Sequence, residues 1–70
     1  MSLSGISEQQ SEKVAREFLQ QQYSMIQVEK SVLEDEGRVW VVDVLTSSFD
    51  NQRKIKVKVN ARTGSILGWQ

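Results

Sequence analysis

Val57-Lys58-Val59-Asn60-Ala61-Arg62-Thr63-Gly64-Ser65-Ile66-Leu67 decides the fold of this chain. Val57 and Val59 flank Lys58, the two-residue period of a half-buried strand. Asn60 and Thr63 are of the types that bond locally to backbone amides. Gly64 supplies the positive φ that closes a tight turn. Ser65, Ile66 and Leu67 then begin a returning strand. Residues 57–67 therefore read as strand, turn and strand, and the turn residues shape backbone without forming a site.

Working outward, the same period continues towards the N-terminus. Residues 53–60 form the third strand, with Ile55, Val57 and Val59 set against Lys54, Lys56 and Lys58. Residues 38–46 form the second, because Val39-Trp40-Val41-Val42 and Val44 are strong β-formers. Residues 25–34 form the first, and 65–69 a short fourth. Asp35-Glu36-Gly37 suits a three-residue hairpin loop, with Gly37 in the left-handed conformation after a type I turn. Residues 47–52 suit a longer polar loop with Phe49 at its tip, either folded onto the core or exposed as a contact.

Before Tyr23 the period is helical. Ser7-Glu8-Gln9-Gln10 fits a capping box, with Gln10 reaching back to Ser7. Glu8 and Glu12 sit where the helix dipole favours acids, and Glu12 can pair with Arg16 at i,i+4. Val14, Ala15, Phe18 and Leu19 make one apolar stripe. These signals predict a helix over 7–22, with Gln20-Gln21-Gln22 as its solvated end. Residues 1–6 read as a flexible leader and 7–70 as a single domain.

Pairing the strands as consecutive hairpins tests which residues share a face. With Gly37 closing the first hairpin, Val32 falls opposite Trp40 and Val28 opposite Val44. With Thr46 facing Arg53, Val44 meets Ile55, Val42 meets Val57 and Trp40 meets Val59. All of these fall on one face, ready to receive Val14, Phe18 and Leu19. The fold class is α+β: one N-terminal helix on one face of a three- to four-stranded antiparallel meander. Lys30 breaks the pattern. It either points inward as a guard against edge pairing or is turned outward by a bulge.

The same register leaves Leu33, Val39, Val41, Leu45, Leu67 and Trp69 on the opposite face, beside Lys56 and Lys58. A sheet face left to water normally alternates to polar residues. A contiguous apolar patch there marks an association surface, so these eight residues form the expected interaction face. Its partner would be another protein or a second copy of the chain.

Composition narrows the remaining chemistry. The chain has 70 residues, no cysteine and no histidine. This removes disulfides, thiolate metal sites and the commonest general base. Nine basic residues balance nine acidic ones, so no global charge draws the chain to nucleic acid or an anionic membrane. No apolar run approaches the ~20 residues of a membrane span.

The element order and the segment Val59-Asn60-Ala61-Arg62-Thr63-Gly64-Ser65-Ile66-Leu67 resemble the PepSY domain. That family typically ends in valine-aspartate-alanine-x-threonine-glycine-x-valine-leucine, with a tryptophan and alternating valines in an earlier strand. Trp40, Val42 and Val44 match that strand. Val59, Ala61, Thr63, Gly64, Ile66 and Leu67 match the turn, with Asn60 where aspartate is usual. The resemblance covers about residues 7–67. It implies a non-catalytic module of the kind found in propeptides of thermolysin-type proteases and in membrane-associated regulatory proteins. It also implies an origin in an exported or membrane-associated protein.

No residue set makes a competing case for catalysis. Ser47-Ser48 lacks a histidine partner, and the four glycines form no phosphate loop. Glu34-Asp35-Glu36 has no calcium-loop spacing and reads as a solvated turn. Glu29 and Asp43 can approach across strands, but Lys56 lies opposite Asp43, which makes an ordinary charge row. No catalytic residue, cofactor or metal ligand is assigned. The alternative function is a single-stranded nucleic-acid-binding module using Lys54, Lys56 and Lys58, with Arg53 and Arg62 nearby.

Overall fold

A computed structural model describes residues 5–48 and 51–70. Phe49, expected at a loop tip, lies outside the described residues, as do residues 1–4 of the expected leader.

The order is α1 (Glu8–Leu19), β1 (Met25–Glu34), β2 (Val39–Ser48), β3 (Asn51–Asn60) and β4 (Ile66–Trp69). The strands form one antiparallel sheet in the order β1-β2-β3-β4, so spatial and chain order coincide. The α+β class is as expected, with four strands in the meander.

The capping box starts α1. Ser7 Oγ accepts from the Gln10 backbone N–H at 3.1 Å, and Gln10 Oε1 accepts from the Ser7 N–H at 3.0 Å. The helix ends at Leu19, earlier than expected, and the three glutamines form the turn into β1. Its fully inward line is Ser11, Ala15 and Leu19 at i,i+4 spacing, with Val14 and Phe18 half-buried beside it. Ser11 is satisfied locally, donating to the Glu8 carbonyl at 2.7 Å.

The core joins Ala15 and Leu19 to Val42, Val44, Ile55, Val57 and Val59. Ile6 belongs to the packed structure rather than to a free leader. It lies against this core, its N–H donates to the Ala61 carbonyl at 2.7 Å, and its carbonyl accepts from Trp40 Nε1 at 3.2 Å. Burying the valines follows from β2–β3 pairing, where Val42 meets Val57, Val44 meets Ile55 and Trp40 meets Val59. This register is the expected one.

β1 departs from its expected register through a bulge at Glu29. Val28 still meets Val44, but Lys30 meets Asp43, Ser31 meets Val42, Val32 meets Val41 and Leu33 meets Trp40. The extra residue shifts the alternation by one. Val32 therefore leaves the helix side, and Leu33 joins it. The first hairpin accommodates the shift with a four-residue turn over 35–38. There Asp35, Glu36 and Gly37 all have positive φ, at 54°, 56° and 86°.

The second hairpin is tighter than expected, because β2 runs on to Ser48 and β3 begins at Asn51. The last turn matches its sequence signature. Asn60 Oδ1 accepts from the N–H groups of Arg62 and Thr63, at 2.8 and 3.2 Å. Gly64 takes φ 84° while donating to the Asn60 carbonyl at 2.8 Å.

β4 then carries a second irregularity. Val59 meets Ile66, Lys58 meets Gly68 and Val57 meets Trp69, which leaves Leu67 extra. Trp69 thereby stands on the helix side, its ring centroid 6.0 Å from that of Phe18. The expectation that Trp69 faces outward is corrected by this bulge.

Candidate protein-binding face

The face opposite α1 is built by the alternate residues of the same strands. On β2 it carries Val39, Val41, Asp43 and Leu45; on β3, Lys54, Lys56, Lys58 and Asn60. β1 contributes Val32 and Lys30 through its bulge, and β4 contributes Leu67. Leu67 shares a shallow depression with Arg38, Val39, Asn60 and Arg62.

Of the eight residues expected on this face, Val39, Val41, Leu45, Lys56, Lys58 and Leu67 lie together. Leu33 and Trp69 do not, because each follows a bulge that reverses its side. Val32 is the residue that sequence reasoning missed. It faces Val41 directly and is 42% exposed. The signal for it was Lys30, whose inward placement required either a buried lysine or a skipped phase.

Val41 is the centre of the patch. It is only 7% exposed although no second layer of described structure covers this face. Val32 on β1 and the Lys58 stem on β3 flank it in register. Lysine methylenes shield apolar neighbours while the ammonium stays in water. Leu67, in contrast, is 53% exposed.

The charges on this face are mixed. Asp43 lies between Lys30 and Lys56 in the ladder, and its carboxylate is 3.8 Å from Lys30 Nζ. The basic row of β3 is thus partly answered on its own sheet. On the helix side, the Ser31 hydroxyl lies 2.7 Å from a Glu8 oxygen and 2.8 Å from a Glu12 oxygen. Its single hydrogen serves one carboxylate at a time.

Among the described residues, no three acidic, histidine or cysteine side chains converge as metal ligands. No buried side-chain nitrogen or oxygen there lacks a hydrogen-bond partner. No helix of the described structure is long and apolar enough to cross a membrane. What the arrangement offers is an apolar strip with a mixed-charge border, suited to contact with another polypeptide.

No curated protein and no solved structure matches the chain. The family model described as "Peptidase propeptide and YPEB domain" matches residues 6–70, from the Ile6 that packs on the core to the last residue. The match spans the helix, the four strands and the Asn60–Gly64 turn, and the chain belongs to the PepSY family.

Proposed function

We propose that this domain is a non-catalytic, regulatory protein-binding module that docks through the outer face of its sheet. One observation carries the reading. Val32, Val39, Val41 and Leu67 form an apolar strip on a face that no described element covers. Family membership supports it, since the family is described by its occurrence in peptidase propeptides. In such a role the domain needs no reactive group of its own. It needs a rigid face whose shape is fixed by the core behind it. The partner is a peptidase of the thermolysin type or a second copy of the domain, both of which an apolar strip with a charged border suits.

Sedimentation equilibrium across concentration, with and without a thermolysin-type peptidase, tests the reading. The wild-type domain is expected to form a complex with itself or with the peptidase. The double variant Val32→Glu/Leu67→Glu is expected to lose that complex while keeping its far-UV circular dichroism. A wild-type domain that stays monomeric alone and fails to sediment with the peptidase overturns the proposal.

A further inference from the structure

A shallow depression closes one end of the outer face, between the first and the last turn of the sheet. Asp35, Arg38 and Val39 line it from one side, and Asn60, Arg62 and Leu67 from the other. The two sides are tied through the backbone. Val39 pairs with Asn60 in the ladder, and the Ala61 N–H donates to the Arg38 carbonyl at 2.8 Å. Asn60 Oδ1 then holds the Arg62 N–H at 2.8 Å. Both arginines are thus set on one hydrogen-bonded base.

Their charge is unanswered. The one ion pair among the described residues joins Lys30 to Asp43. Arg38 and Arg62 enter none, although Asp35 lines the same depression. Asn60 is neutral and spends its Oδ1 on the Arg62 and Thr63 amides, which leaves its Nδ2 as a donor. Glu34, Glu36 and Lys58 border the depression, all exposed. With them the two arginines and Asp35 balance to zero, so any attraction acts at contact and not at long range.

A guanidinium takes a carboxylate through two parallel hydrogen bonds. Val39 and the half-exposed Leu67 supply an apolar wall beside the pair. No aromatic ring lines the depression for a base to stack on, and both tryptophans stand on the helix side. A second copy's acidic turn carries its own Arg38 beside Asp35 and Glu36, so docking it would bring a third guanidinium to the pair.

We infer that this depression is a carboxylate subsite of the outer face. It takes an aspartate or glutamate side chain of the partner protein between Arg38 and Arg62, with the partner's adjacent apolar residue on Val39 and Leu67. The inference deepens the outer-face reading and rests on it for the partner being a protein.

Two-dimensional nitrogen–proton NMR of the full chain reads the site through the Arg38 and Arg62 Nε–H and the Asn60 Nδ2 signals. The probes are a capped leucine-glutamate-leucine peptide, its glutamine analogue, inorganic phosphate and a single-stranded oligonucleotide. The glutamate peptide is expected to shift these signals saturably, and to bind about tenfold or more tightly than the glutamine peptide or phosphate. Asn60→Asp keeps the acceptor that the turn needs and adds a negative charge beside the arginines. It should weaken peptide binding by about tenfold while the Val42 amide signal and the far-UV circular dichroism stay unchanged. Arg38→Gln/Arg62→Gln should abolish binding, and Val32→Glu, outside the depression, should leave it intact. Equal binding of the glutamine peptide overturns the inference. So do shifts with phosphate or the oligonucleotide alone, or shifts in the free domain that grow with its concentration. A sedimenting complex that Asn60→Asp does not weaken overturns this subsite and spares the outer-face reading. Peptide binding that Asn60→Asp weakens, with no sedimenting complex, upholds the subsite and overturns that reading.

Discussion

The two faces of one sheet, made by alternate residues of the same strands, have opposite fates. On the helix side, Val42, Val57 and Val59 are wholly buried. On the other side, Val41 is closed over by its neighbours, while Val32 and Leu67 stay largely open to water. The residue types are nearly the same. What differs is the layer: α1 supplies Ala15 and Leu19 to one face, and no described element serves the other. An apolar side chain is therefore a core residue only when another element meets it. Without one, it becomes available for contact.

The largest expected effect tests the covered face. Val57→Ala should destabilise the domain by about 2–3 kcal/mol in urea denaturation, because the helix cannot collapse fully into the space. Val41→Ala, on the outer face, should cost about 1 kcal/mol, since little surrounds it but flanking side chains. Equal costs at the two positions would break the distinction, and would mean that Val41 belongs to a second core.

Next in size is the turn that aims β4. Gly64→Ala should cost about 1–2 kcal/mol in the same assay, from the strain of a side chain at positive φ rather than from crowding. An added Cβ there would meet only Ile6 methyl carbons, the nearer at 3.7 Å. Trp69→Ser should cost about 1 kcal/mol through loss of the Phe18 contact and some apolar burial. It should leave association unaffected, because Trp69 stands on the helix side. Leu67→Ser, two residues earlier, should change stability by less than about 0.5 kcal/mol. It should instead weaken the complex in sedimentation. If Trp69 and Leu67 exchanged these phenotypes, the irregularity in β4 would be misplaced.

The central strands could be read from the chain because β2 and β3 keep an unbroken period of two. Ile55, Val57 and Val59 alternate with lysines, and fixing Thr46 opposite Arg53 sets every other pair. The helix start was equally plain, since the capping box is local chemistry between Ser7 and Gln10. The outer strands resisted the same treatment. In β1, Ile26, Val28 and Val32 keep an even spacing in the sequence while the backbone skips a phase at Glu29. In β4, Ile66 and Trp69 share a face only because Leu67 is extra. A bulge is a two-for-one match between neighbouring strands, so it is a property of the pair, and a single strand's hydrophobic pattern does not encode it. Lys30 in β1 and Gly68 in β4 were the local hints, the latter because glycine inside a strand often marks a bulge. The candidate face shared this fate: the parts on β2 and β3 and Leu67 of β4 were found, while Val32, Leu33 and Trp69 were assigned to the wrong sides.

The bulge at Glu29 also bears on how the chain avoids folding incorrectly. A regular alternating strand can slide by two residues along its neighbour and still bury an apolar row, which creates competing pairings of similar energy. β1 has opposite phases before and after Glu29. A pairing with β2 that lacked the bulge would put one of its halves out of step with Val42 and Val44. Deleting Glu29 would leave Val28 opposite Val44 and Lys30 opposite Asp43 in an unbroken ladder, so β1 would pair in a single phase along its whole length without the bulge.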